Sequence, residues 1–290
     1  MKGIIIRGVG GLYYVRDFES GRVTPCRARG KFRRIGSPLP GDHVVYLHDV
    51  PEGSIEEIEK RSNDLIRPAI ANVSQAFLVF ALVDPDINWT LLNHFLLVME
   101  QKEIRPLILL NKRDLADAGA EQDARDRFLG TGYELMVISA RTSEMSQVLL
   151  DRLTGEVTVL CGPSGAGKST LLNQLMGEDV MKTGVVSERI GRGKHTTRHT
   201  ELVEIHGGLM ADTPGFSNVE PSGINYRELK DLFPEFRELQ DNCRFTGCLH
   251  DKEPDCAVKA AIGKTIAPAR YDYYETLLTK LREEDKYKWD

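Results

Sequence analysis

The chain has 290 residues, 41% of them hydrophobic, and a formal net charge of −5. That length buries a sizeable core and divides into more than one domain, while the acidic balance excludes a diffusely basic nucleic-acid coat. No apolar run reaches the roughly 20 residues of a membrane-spanning helix, and no signal-peptide pattern is present, which predicts a cytoplasmic protein with reduced cysteines.

Residues 1–68 read as short strands: Gly3–Arg7, Leu12–Val15, Arg22–Cys26, His43–Leu47 and Ile55–Ile58. Glycine and proline turns separate them. Five short strands in so small a segment predict a closed barrel of the OB type. Between positions 22 and 34 lie Arg22, Arg27, Arg29, Lys31, Arg33 and Arg34, with no acidic residue. Phe32 interrupts the run, and Tyr13 and Tyr14 lie close in sequence. A basic, aromatic-bearing face on a small barrel suits nucleic acid.

From residue 69 the pattern changes to apolar strands alternating with helices. Phe77–Val83 reads as a central strand and Pro106–Leu110 as another, buried on both faces. Asn111, Lys112, Arg113 and Asp114 come directly after the second. Ligands gather at the carboxyl ends of strands in open α/β sheets. Asp114 at such an end accepts from the N1–H and 2-amino group of guanine, a pair that adenine does not offer. Asn111 would bond the guanine edge or tie the loop to the phosphate loop, and Lys112 would lay its stem along the base. A strand over Tyr133–Ile138 then ends in Ser139-Ala140, about 25 residues after Asp114, where a backbone amide can meet guanine O6.

Glu156–Cys161 reads as a buried strand that opens into Gly162, Pro163, Ser164, Gly165, Ala166, Gly167, Lys168, Ser169 and Thr170. This is the Gly-x4-Gly-Lys-Ser phosphate-binding loop. Its glycines turn backbone N–H groups inward around phosphate oxygens. Lys168 neutralises the β- and γ-phosphates, and the Ser169 hydroxyl binds Mg²⁺. Leu171–Met176 begins the helix behind it. Farther on, Asp212-Thr-Pro-Gly215 is an Asp-x-x-Gly turn at a strand end, with Asp212 holding Mg²⁺ through water and the Gly215 amide facing the γ-phosphate. Between the two lies the basic stretch Arg192–His199, in which Thr196 or Thr197 is expected to bind Mg²⁺. Lys168, Ser169 and Asp212 are the catalytic candidates. Phe216 comes after Gly215, where Ras-like enzymes carry a water-orienting Gln. The attacking water must therefore be placed by another residue, with His195 a candidate, or by a partner.

The base-reading motif precedes the phosphate loop by about fifty residues, the reverse of the usual GTPase order. The order 111–114, 139–140, 162–170, 196–197, 212–215 is a circular rotation of the usual one. Rotation ties the segment beyond residue 215 directly to the switch. That segment contains Cys243-x4-Cys248-x-His250-x5-Cys256, four soft ligands within fourteen residues, the donor set of a structural zinc site. Cys161 reads as a small buried hydrophobe, and Tyr271–Asp290 as a charged helix.

Barrel, rotated GTPase and Cys₃His cluster in this order resemble the bacterial small-ribosomal-subunit-dependent, circularly permuted GTPases that act in ribosome assembly. The resemblance spans essentially the whole chain. It implies a multidomain protein with an OB-fold RNA-binding barrel at 1–68, a circularly permuted P-loop GTPase domain at 69–218, and a mostly helical zinc-binding domain at 219–290. It further implies GTP hydrolysis to GDP with Mg²⁺, stimulated by the 30S subunit late in its maturation, contact with 16S rRNA, structural Zn²⁺ and a monomeric state. A P-loop ATPase, or a nucleotide-regulated RNA-binding module unrelated to the ribosome, is the alternative. Asp114 argues against the first, and intact Lys168, Ser169 and Asp212 argue against an RNA-binding module whose nucleotide site is degenerate.

Overall fold

Five strands open the chain: β1 (Lys2–Val9), β2 (Leu12–Asp17), β3 (Val23–Ala28), β4 (His43–Leu47) and β5 (Gly53–Ile58). They fall on the five segments picked out by sequence pattern. Alternate residues turn inward, as in Val44 and Tyr46 on β4 or Gly53 and Ile55 on β5. The hydrogen-bonded circuit runs β1-β2-β3-β5-β4 and closes by β4 on β1, with β3 parallel to β5. Closure leaves no free edge. Ile5, Val15, Cys26, Phe32, Val44, Tyr46 and Ile55 fill the interior. The Tyr46 hydroxyl donates to Asp17 Oδ2 at 3.0 Å, so its polar tip is satisfied inside.

Two expectations about the basic face need correction. Phe32 is not an exposed aromatic. It is 6% exposed and belongs to the barrel core, because its ring gains more from burial than from solvent. The cationic run is also partly neutralised. Arg27 pairs with Glu52 at 2.5 Å and Arg29 with Glu56 at 2.7 Å, since parallel pairing of β3 with β5 brings these glutamates alongside.

The structure is a computed structural model that describes every residue except 31, 33–35, 143–145, 184–199, 213–218 and 287–290. Lys31, Arg33 and Arg34 therefore lie outside the described residues. After the barrel come β6 (Asp64–Leu65), β7 (Ile70–Ala71) and β8 (Gln75–Ala81). Next are α1 (Trp89–Gln101), β9 (Arg105–Asn111), α2 (Ala118–Asp126), β10 (Glu134–Val137) and α3 (Ser146–Asp151). Then come β11 (Val157–Cys161), α4 (Lys168–Thr183), β12 (Glu201–Ile205) and β13 (Gly208–Asp212). Helices α5 (Pro234–Gln240), α6 (Ala257–Ala260) and α7 (Pro268–Lys286) complete the chain.

These elements gather into two compact units, residues 1–79 with 139–217 and residues 80–138 with 218–290. In the first unit β11 lies between β8 and β13, parallel to both. β8 is buried along its length, as a strand covered on both faces must be. β12 runs antiparallel to β13 and meets the barrel at Arg7 opposite Glu201.

In the second unit β9 pairs in parallel with β10. Helix α1 starts at Asn88, whose side chain accepts from the Leu91 amide at 3.0 Å. Its buried face includes Leu97, which packs into the same cluster as Leu229, Phe233, Phe236, Tyr274 and Leu278 of the tail. Within this apolar cluster Arg270 is 1% exposed. It donates to Glu235 at 2.6 Å and to Asn93 Oδ1 at 2.6 Å, and its guanidinium lies 4.7 Å from the Phe233 ring centre. One side chain thus joins α7, α5 and α1.

Removing one partner of a buried ion pair strands the other charge and costs about 3–5 kcal/mol. Arg270→Met is expected to destabilise the second unit by that amount, and adding Glu235→Leu to recover more than half of the loss. Urea unfolding followed by tryptophan fluorescence reads this, because Trp89 opens α1 within that unit. Equal midpoints for Arg270→Met and wild type would show that the pair does not hold the helices.

Candidate functional site

The phosphate loop is built from backbone more than from side chains. Gly162, Gly165 and Gly167 adopt φ values of 134°, 80° and 92°, which side-chain-bearing residues rarely reach. At Gly162 the restriction is absolute, because a Cβ there would stand 1.9 Å from the Val79 carbonyl oxygen of β8. The chain turns directly from β11 into α4, and the Leu171 amide donates to the Gly167 carbonyl at 2.9 Å. The N-terminus of α4 therefore presents unpaired N–H groups and a positive dipole end, a setting made for anions.

Ala166 is buried, whereas Ser164, Gly165, Ser169 and Thr170 are at the more open rim. Lys168 arches back over the loop, its ammonium donating to the carbonyls of Gly162 and Pro163 at 2.7 Å each. Burial lowers its pKa from the ordinary lysine value. Burial also pushes the Cys161 thiol well above its ordinary value, in keeping with a packing role.

Asp212 ends β13 beside this loop. Parallel register pairs Val159 with Ala211, so the carboxyl ends of β11 and β13 coincide, one leading into the loop and the other into Asp212. Phosphate loop and acidic strand end are thereby brought together within the first unit. Thr196, Thr197, His195 and Gly215 lie outside the described residues.

The base-reading motif belongs to the second unit. Asn111 is buried at the end of β9, and its carbonyl accepts from the Leu82 amide at 2.8 Å. Lys112 takes a left-handed backbone conformation with φ 67°, and its ammonium donates to the Asp84 carbonyl. That turn starts a short 3₁₀ segment over Arg113–Leu115, so Asp114 stands exposed. The Arg113 amide donates to the Ile138 carbonyl at 3.1 Å, which fixes the end of the strand segment that runs into Ser139-Ala140. Beyond it the Ser139 carbonyl accepts from the Thr142 amide, and Ala140 is buried.

In the tail, Cys243, Cys248, His250 and Cys256 converge until their ligand atoms all lie within 4.8 Å of one another. Cys243 Sγ is 3.9 Å from Cys256 Sγ, and His250 Nδ1 is 3.6 and 3.4 Å from these two sulfurs. Zinc–sulfur bonds of about 2.3 Å in a tetrahedron separate two sulfurs by ~3.8 Å, so the set fits such an ion. Burial pushes the Cys248 thiol up to about 12 and the His250 imidazole down to about 4. A dry pocket of this kind favours neutral imidazole and holds thiolates only around a cation.

The surrounding groups orient the donors. The amides of His250 and Lys259 point at the sulfurs of Cys248 and Cys256, at 3.4 and 3.5 Å. Glu253 accepts from the amides of Leu249 and Asp251 at 2.9 Å each. From α7, the Tyr271 and Tyr274 hydroxyls donate to the carbonyls of His250 and Leu249 at 2.6 Å each. No sequence motif singles out these two tyrosines. Their i, i+3 spacing puts both on one helix face, which is the signal that could have found them.

The chain is similar to known proteins along its whole length. Residues 58–222 match the RsgA GTPase family and residues 2–55 the RsgA N-terminal domain. The "Small ribosomal subunit biogenesis GTPase RsgA" of Clostridium botulinum (strain Eklund 17B / Type B) is 48% identical over 293 residues, covering 100% of both chains. The protein of that name from Clostridium novyi (strain NT) is 47% identical, again over 100% of both. Among solved structures, YloQ, described as a circularly permuted GTPase, has a TM-score of 0.82 and 38% identity, covering 98% of this chain and 95% of its own. YjeQ from Thermotoga maritima has a TM-score of 0.83 and 33% identity, covering 97% and 98%.

The geometry of the tail cluster gives an expected metal content of about one zinc per chain in protein purified without chelator. Cys248→Ser should release that metal and loosen the segment beyond residue 240, read as faster amide exchange in α6 and α7. Zinc-free protein with the same exchange protection would rule out a structural metal.

Proposed function

The chain belongs to the RsgA GTPase family, and from that membership we propose that it binds the small ribosomal subunit and hydrolyses GTP to GDP in the subunit's late maturation. The observation that carries the enzymatic part is the loop at Gly162–Thr170. Its positive-φ glycines and close packing on Val79 fix a phosphate cradle beside the strand that ends in Asp212. In this reading the loop amides hold phosphate oxygens, and Lys168 exchanges its two carbonyl partners for the β- and γ-phosphates. Ser169, Asp212 and one of Thr196 and Thr197 hold Mg²⁺, which neutralises charge developing on the phosphates. The Gly215 amide faces the γ-phosphate. Asp114 reads N1–H and the 2-amino group of guanine, Asn111, Lys112 and Arg113 shape the base pocket, and the Ser139-Ala140 amides meet O6.

The same reading gives three domains: an RNA-binding barrel at 1–68, the GTPase at 69–218 and a zinc-binding tail at 219–290. Cys243, Cys248, His250 and Cys256 hold a structural zinc. The partners are GTP, GDP and the 30S subunit with its 16S rRNA. The protein works as a cytoplasmic monomer, and no helix among the described residues is long and apolar enough to cross a membrane. Phe216 stands where a water-orienting Gln would, so the bound subunit completes the site.

Turnover of GTP alone is expected to be slow, and to rise by at least about tenfold with purified 30S subunits, by analogy with GTPases completed in trans. The rise should shrink as salt increases over a range in which subunits stay intact, as phosphate contacts do. Stimulation that is absent at every salt concentration would remove the ribosome from the proposal while leaving the GTPase.

Base choice is tested separately. Asp114→Asn should weaken GTP binding and favour xanthosine triphosphate, because the amide donates to the extra oxygen at position 2 of xanthine. Equal affinity of variant and wild type for GTP would dismiss residues 111–114 as the guanine reader.

A further inference from the structure

We infer that Arg7 and Glu201 are positioning residues that transmit what the barrel binds to the strand end at Asp212, along the cross-strand row Tyr14–Arg7–Glu201–Asp212. The row is a matter of register. Arg7 lies opposite Tyr14 across β1 and β2, and opposite Glu201 across β1 and β12. Glu201 in turn lies opposite Asp212 across β12 and β13. Four adjacent strands of the first unit thus contribute one residue each.

The row exists because β1 contains an irregularity. Ile5 pairs with Val15, and the register shifts before Arg7. Without that shift Arg7 would face Tyr13. A one-residue slip exchanges the faces of a strand, and a bulge is a common way to re-aim a side chain. Here the extra residue lies on β1 and turns Arg7 off the face of Ile5 and over Tyr14, with the guanidinium 4.0 Å from the ring centre, while Tyr13 stays on the core face with Val15.

The other side of Arg7 meets Glu201 at 3.6 Å. The two side chains are 29% and 17% exposed, so solvent screens this pair less than a surface one. Arg7 Nε is buried without a hydrogen-bond partner among the described residues. Stacking and the carboxylate, not a full set of hydrogen bonds, therefore hold the guanidinium. A second strap joins Arg16 of β2 to Glu204 of β12 at 2.6 Å.

Rungs of an antiparallel ladder are about 5 Å apart, so the backbones at Arg7 and Asp212 are separated by about 10 Å. That is too far for Arg7 to touch a nucleotide or its cation, and it acts through Glu201. Glu201 opens β12, and in sequence it lies just past the stretch that holds Thr196 and Thr197. A nucleic-acid ligand on the barrel that stacks on Tyr14 or draws on the exposed edge of Arg7 shifts the charge felt by Glu201. The inference rests on the ribosome reading given under Proposed function.

The test compares wild type, Arg7→Gln, Glu201→Gln and the swap Arg7→Glu/Glu201→Arg. Four quantities are measured: basal GTP turnover, KM for GTP, 30S affinity by cosedimentation, and turnover at saturating 30S, with thermal midpoints alongside. Each single variant is expected to lower the stimulated kcat about fivefold or more, in the range of ordinary coupling between sites. Basal kcat, KM, subunit affinity and midpoint should change less than about twofold, or a few degrees, and the swap should restore at least half of the stimulation. Stimulation equal to wild type in both single variants overturns the coupling. So does a loss that merely tracks subunit affinity or the midpoint, and so does a swap as impaired as the single variants. A wild-type enzyme that 30S does not stimulate sinks the ribosome reading first, and the coupling with it.

Discussion

At Gly162 the carbonyl of Val79 occupies the space where any side chain would begin. The nucleotide half of the molecule depends on that close approach. It requires β8 and β11 to run side by side in parallel, with Cys161 opposite Leu78 so that Gly162 comes level with Val79, and β13 continues the arrangement on the other flank. Parallel strands need crossovers, so their carboxyl ends collect turns from distant parts of the sequence. The loop at 162–170 and the acidic strand end at Asp212 are neighbours for this reason. Lys168 folds back over this loop and donates to two of its carbonyls.

The tail meets a different constraint. Helices α5 and α6 have seven and four residues, too few to persist alone. Their apolar cluster contains a buried guanidinium and a buried Cys₃His set, and both are costly unless compensated. Glu235 and Asn93 compensate the first, and a divalent metal is the matching partner for the second. Both devices draw on α7, since Arg270 enters the ion pair while Tyr271 and Tyr274 brace the ligand loop. The same helix therefore registers the Cys₃His cluster against α1.

Charge in the barrel is arranged by pairing more than by accumulation. Arg27 and Arg29 have glutamate partners on the β5 side, and Arg7 and Arg16 have them on β12. The more exposed of these, Arg27 with Glu52 and Arg29 with Glu56, contribute little to stability, whereas Arg7 and Glu201 are more enclosed. An acidic chain with locally paired cations suits docking on one surface better than diffuse attraction to any polyanion.

Local chemistry settled much of this from sequence alone. Short apolar segments set off by glycine and proline turns marked the five barrel strands, and glycine spacing marked the phosphate loop, because such turns are read within a few residues. The order of barrel, rotated GTPase and Cys₃His tail came from motifs that each carry their own chemistry. Tertiary structure decided what depends on partners far along the chain. Phe32 looked like a surface aromatic in a basic run, but barrel closure put it in the core. Arg270 carried no signal in the sequence, and its role follows from its enclosure by α1 and α5. Lys112 adopts a left-handed turn, and its ammonium meets the Asp84 carbonyl, neither of which the sequence motif shows. The row from Tyr14 to Asp212 spans about two hundred residues of sequence and hangs on one register shift in β1. Periodicity tells which face of a strand is apolar. Only the folded sheet sets which residue stands opposite which.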